Sequence, residues 1–108
     1  MSDCIFCKIV NKEIPKEFVV ETKDIVVFPD IHPVAPVHLL VVPKKHIGEF
    51  IKVEDAILGQ MLGIIKDLIK KYKLETSGYR IVTNGGGAQL INHFHIHLMG
   101  GIRSDRKL

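Results

Sequence analysis

The chain has 108 residues, of which 46% are hydrophobic and 25% charged, and its formal net charge is +3. That length supports one hydrophobic core, hence a single domain over residues 1–108, and the apolar content excludes a disordered chain. The charge suits small anions. With no basic stripe beyond the short Lys44-Lys45 pair, it argues against nucleic acid as a partner.

The N-terminus opens Ser2-Asp3-Cys4, without the basic flank and apolar stretch of a secretion signal, and the longest apolar run, Val34 to Val42, is broken by Pro36 and His38. Neither feature fits a membrane span, so a cytoplasmic protein is expected. Cys4 and Cys7 are the only cysteines. In a reducing compartment a C-x-x-C pair reads as a metal or redox site, or as two free thiols packed in a short helix.

Apolar residues at Ile5, Phe6, Ile9 and Val10 predict a short helix or ordered turn from Cys4 to Asn11, closed before Pro15. Phe18-Val19-Val20-Glu21 and Ile25-Val26-Val27-Phe28 read as two strands joined through Thr22-Lys23-Asp24. Pro29 and Pro33 then impose a loop. Val37 to Val42 is a further strand carrying His38, ended by Pro43. From Glu54 the period changes: Ile57, Met61, Ile64, Ile65, Leu68 and Tyr72 recur three or four apart and predict one long helix with a broad apolar face. Leu58, Leu62 and Ile69 widen that face, while lysines occupy the opposite side and suit the helix's negative end.

After Ser77-Gly78 comes a strand over Tyr79 to Thr83, followed by Asn84-Gly85-Gly86-Gly87-Ala88-Gln89. Consecutive glycines let backbone N–H groups approach an anion closely, or simply form a flexible hairpin turn. Residues Ile102 to Leu108 read as a polar tail. The elements together predict an α+β domain: a mostly antiparallel sheet of about five strands, one long helix and a short N-terminal helix.

The segment from Asn92 to Met99 carries the chemistry. His93, His95 and His97 alternate with Phe94, Ile96 and Leu98, so on a strand the three imidazoles share one face while the apolar residues enter the core. Alternate residues on a strand lie roughly 6–7 Å apart, close enough for the rings to converge on one phosphate. Imidazole supplies both a nucleophile and a proton donor near neutral pH, and the central ring, His95, is best placed to attack.

This row resembles the signature of the histidine triad family, His-φ-His-φ-His-φ-φ. The likeness extends to Phe28-Pro29-Asp30-Ile31, to His38 through Ile47, to Gly78-Tyr79-Arg80-Ile81-Val82-Thr83-Asn84 and to Gly100-Gly101, which resemble the nucleoside phosphoramidase branch in the same order. The resemblance implies a HIT-like fold, a homodimer, a purine nucleotide substrate of the AMP or GMP type, and transfer through a nucleotidyl-histidine at His95. It implies that His97 contacts the phosphate and assists proton transfer, with His38 and His93 completing the imidazole network. Asn84, Gln89 and the backbone around Gly87 and Ala88 would hold the phosphate. Asp30 would accept from the ribose hydroxyls, although an Asp here also reads as a turn cap. Ile5, Phe6, Ile9, Phe28 and Ile31 would clamp the base, although each also reads as ordinary core.

Some members of the wider family pair such cysteines with two histidines, which makes His46 and His93 the candidates to complete a structural zinc site with Cys4 and Cys7. No organic cofactor is implied. Two departures stand out: Leu90 replaces the Ser or Thr usual after the glutamine, and the chain lacks the aromatic-proline tail of some relatives. Three functions follow: phosphoramidate hydrolysis, dinucleoside polyphosphate hydrolysis by the same nucleophile, and zinc-stabilised nucleotide binding with little turnover. Gly100-Gly101 favours the first over the second, and Leu90 is the best argument for the third.

Overall fold

The computed structural model describes residues 3–105 and Lys107. Arg106 and Leu108, which the sequence assigns to a polar tail, lie outside the described residues, as do Met1 and Ser2. Five strands form one antiparallel sheet: β1 (Val20–Glu21), β2 (Ile25–Pro29), β3 (Val37–Pro43), β4 (Tyr79–Val82) and β5 (Ile96–Gly100). Their order is β1-β2-β3-β5-β4, so the last strand of the chain slots between β3 and β4. The histidine segment therefore enters the middle of the sheet, with a strand on each side.

The helices are α1 (Ile5–Val10), α2 (Asp55–Lys71) and α3 (Leu74–Ser77). Alternation along β2 and β3 divides the core in two. Ile25, Val27, Leu39 and Val41 point one way and pack with Met61, Ile65, Leu68 and Ile69 of α2, joined there by Phe94, Ile96 and Leu98. Val26, Phe28, Leu40 and Val42 point the other way and pack under Phe6 and Ile9 of α1. With both faces covered, β2 and β3 read as continuous apolar runs rather than alternating ones. The histidines leave the sheet on the α1 side.

The α+β architecture, the long helix and the short N-terminal helix follow the sequence expectation. Three local features differ. β1 is two residues long, because Val19 joins β2 through a single N–H to the Val27 carbonyl and not through a longer ladder. A short 3-10 turn over Phe50–Lys52 and the four-residue α3 interrupt stretches whose apolar period is too brief to announce a helix. Ile102 is buried, so the segment after Gly101 begins as core and not as a polar tail. Gly78 makes this possible: its φ is +84°, and any side chain there would collide with the Ile102 carbonyl. Among the described residues, no helix is long and apolar enough to cross a membrane.

Candidate functional site

The strand assignment of the last segment starts only at Ile96, yet the alternation begins three residues earlier. Phe94, Ile96 and Leu98 all join the α2 side of the core. On the opposite side the His93 and His95 rings meet the edge of Phe6, at 5.9 and 5.1 Å between centroids. His95 and His97 lie 5.0 Å apart, and His97 lies 5.2 Å from His38. His38 and His97 meet across neighbouring strands because β3 and β5 pair Leu40 with His97.

Fixed backbone groups decide which nitrogen of each ring carries the proton. His95 Nδ1 is 2.8 Å from the His93 carbonyl oxygen. A carbonyl can only accept, so Nδ1 holds the hydrogen and Nε2 keeps a free lone pair. In His38 the sense is reversed: the Val34 backbone N–H donates to Nδ1 at 3.1 Å, which puts the hydrogen on Nε2. That Nε2 lies 2.9 Å from His97 Nδ1, which must accept, leaving the His97 hydrogen on Nε2. The pair His95 and His97 thus offers one nucleophilic nitrogen and one N–H donor.

Burial favours the neutral form of His97 and His38. His97 is pushed down to about 4, first by burial and then by the neighbouring His95 and His38. Burial also lowers His38, against an opposing pull from the Asp30 carboxylate. Asp30 Oδ2 lies 3.4 Å from His38 Nε2, while Oδ1 accepts the His32 N–H at 2.9 Å. Asp30 therefore serves as a turn cap and stands beside the imidazole network at once.

Cys4, Cys7, His46 and His93 converge as a second cluster, their ligand atoms all within 4.8 Å of one another. His93 donates its Nε2–H to the Pro43 carbonyl at 2.8 Å, which leaves Nδ1 as a lone pair facing the two sulfurs. Three of the four S···N separations are 3.3, 3.3 and 3.5 Å. A tetrahedral zinc with Zn–S of about 2.3 Å and Zn–N of about 2.0 Å needs S···N edges of about 3.5 Å, so the donor set fits that ion in both number and spacing. Without a cation the Cys7 thiol is pushed up to about 11, first by burial and then by its contact with Cys4. A bound divalent ion would reverse that preference.

The glycine loop is organised by its own side chains. Gly86 and Gly87 have φ of +63° and +94°. The Gly86 N–H donates to Glu49 Oε1 at 2.9 Å, the Gly87 N–H to Gln89 Oε1 at 3.0 Å, and the Ala88 N–H to the Gly85 carbonyl at 3.1 Å. Asn84 is exposed just beyond β4. Of the apolar residues assigned to a base clamp, Phe6, Ile9 and Phe28 are buried in the core under α1, while Ile5 and Ile31 are exposed. Leu90 is 97% exposed and borders a cleft of about 510 Å³ that Ile5, His46 and Asn92 also line.

Sequence reasoning missed the Val34 N–H, the Pro43 and His93 carbonyls, the Glu49 carboxylate and the Thr83 hydroxyl, which donates to the His95 carbonyl at 2.8 Å. Backbone groups have no signature in a sequence. Glu49 and Thr83 are ordinary polar residues whose partners lie far along the chain.

Comparison with known proteins gives consistent results. The profile of the HIT domain matches residues 11–104. Protein HitA of Neisseria gonorrhoeae is 42% identical over 105 residues, covering 93% of this chain and 97% of the relative. The 14 kDa zinc-binding protein of Zea mays is 43% identical over 107 residues, covering 93% and 83%. The solved HIT family hydrolase from Clostridium thermocellum superposes with a TM-score of 0.90 at 32% identity, covering 100% of this chain and 98% of that one.

Proposed function

This chain belongs to the HIT domain family, and from that premise we propose that it hydrolyses purine nucleoside 5′-phosphoramidates through a nucleotidyl-histidine intermediate on His95. The observation that carries the reading is the His95 Nδ1–H donated to the His93 carbonyl, which leaves Nε2 unprotonated beside the N–H donor of His97. Solved relatives described as HIT family hydrolases and as histidine triad nucleotide-binding proteins support it.

In the first step the His95 Nε2 lone pair attacks the α-phosphorus and the P–N bond breaks. The nitrogen leaves as the amine, with a proton drawn from water. His95 keeps its Nδ1–H, so the new imidazolium carries a positive charge against the His93 carbonyl dipole. The His97 Nε2–H hydrogen-bonds a phosphoryl oxygen as negative charge builds there. In the second step water attacks phosphorus, the Nε2–P bond breaks and its electron pair returns to His95, while the displaced proton goes to solvent. Asp30 accepts from the ribose hydroxyls, and Ile5 and Ile31 flank the base over a floor of Phe6, Ile9 and Phe28. Asn84, Gln89 and the turn at Gly87 and Ala88 border the phosphate.

Cys4, Cys7, His46 and His93 hold a structural zinc, which ties α1 to the strand segment that carries the nucleophile. The protein works as a homodimer in the cytoplasm. Exposed Tyr79 and Ile81 on the edge strand β4, with exposed Leu62 on α2 and Tyr72 just past its end, supply apolar surface for that contact. A steady-state assay with an adenosine 5′-phosphoramidate tests the function: wild type turns over and His95→Ala falls to background. Equal rates for the two proteins refute the mechanism, and tight nucleotide binding without turnover points to a binding protein instead.

A further inference from the structure

Residues His93 to His95 are held without the sheet ladder. The β4 to β5 register runs from Tyr79 paired with Gly100 to Val82 paired with His97 and then stops, and β5 itself begins at Ile96. Bonds from outside the ladder take over, three of them to backbone carbonyls. His93 Nε2–H donates to the Pro43 carbonyl, Phe94 N–H donates to the Ile47 carbonyl at 2.6 Å, and the Thr83 hydroxyl donates to the His95 carbonyl at 2.8 Å. The first serves the candidate metal ligand and the second runs between backbone groups. The third alone fixes the nucleophile's own peptide through a side chain that can be exchanged.

We propose that Thr83 is a positioning residue for His95, holding the nucleophile's peptide where the ladder ends. The assignment rests on the reading of His95 as nucleophile. The His95 ring is aimed by the bond from its Nδ1–H to the His93 carbonyl, two residues back. That bond orients the ring only as well as the intervening backbone is fixed, and the His95 carbonyl is the end of that stretch. Thr83 also immediately precedes Asn84 and the glycine loop. One hydroxyl therefore sets the spacing between the attacking nitrogen and the loop that borders the phosphate. Small errors in such spacing are expensive, because a displacement of about 1 Å can cost on the order of a hundredfold in rate.

The test compares Thr83→Val, which keeps the shape and removes the donor, with Thr83→Ser, which keeps the donor and removes the methyl group. With an adenosine 5′-phosphoramidate, Thr83→Val should lose about tenfold or more in kcat with KM within about twofold, while Thr83→Ser retains the wild-type rate. Nitrogen NMR of the imidazoles supplies a second readout that needs no turnover. In wild type and Thr83→Ser the His95 Nδ1–H should give one sharp signal, which broadens or splits in Thr83→Val. If wild type fails to turn over the substrate, the function reading fails while the NMR comparison still decides the role of Thr83. Thr83→Val matching wild type in kcat and in the His95 signal, or Thr83→Ser as impaired as Thr83→Val, overturns the proposal.

Discussion

His38 Nε2 stands 2.9 Å from His97 Nδ1, and the Val34 N–H on the far side of the His38 ring dictates which of the two rings donates. The orientation of the His97 Nε2–H thus traces back to a backbone amide in the loop before β3. Because the chain of bonds works only while both rings are neutral, acid should disrupt it.

The pH dependence has a defined sign. His97 falls from an ordinary value of 6.5 to about 4 in the fold, so between those values the unfolded chain binds more protons than the native one. Stability is therefore fully present above about pH 6.5 and is lost as pH falls toward 4, with the buried His38 and His93 contributing in the same direction. Thermal melting across pH 7.5 to 4.5 should show a falling midpoint, and His97→Gln should flatten that slope. A midpoint independent of pH in this window would contradict the burial of neutral rings.

Metal content tests the Cys4, Cys7, His46 and His93 cluster. Protein purified without chelator should hold about one zinc per chain, and Cys4→Ser or His46→Ala should lower both the zinc content and the melting temperature. Elemental analysis finding no zinc in the wild-type protein removes the site.

Leu90 is almost wholly exposed, so replacing it should leave stability within about 0.5 kcal/mol. Leu90→Ser supplies a hydroxyl at this position and should raise kcat on phosphoramidates with little change in melting temperature. An unchanged kcat would mean that leaving-group departure does not depend on a hydroxyl at this position.

The sequence revealed what depends on period and residue type. The alternation of His93, His95 and His97 with Phe94, Ile96 and Leu98 predicts the two faces correctly even though regular strand pairing begins only at Ile96. The long helix was legible from its three-and-four spacing, and the cysteine pair from its C-x-x-C interval. What stayed hidden were partners supplied by the main chain and by distant side chains. Pro43 reads as a strand breaker, yet its carbonyl selects the His93 tautomer and turns Nδ1 toward the sulfurs. Glu49 belongs to no pattern in the sequence, yet its carboxylate caps the Gly86 amide across 37 residues of chain. Ile102 looks like the start of a polar tail because the glycine that lets the chain fold back over it lies at position 78.

Intact mass after brief mixing with an adenosine 5′-phosphoramidate and acid quench tests the central claim most directly. The account predicts a transient increase equal to one adenylyl group, mapped by peptide analysis to His95 and absent from His95→Ala. Turnover by wild type with no adduct at any mixing time, or an adduct that persists in His95→Ala, would contradict it.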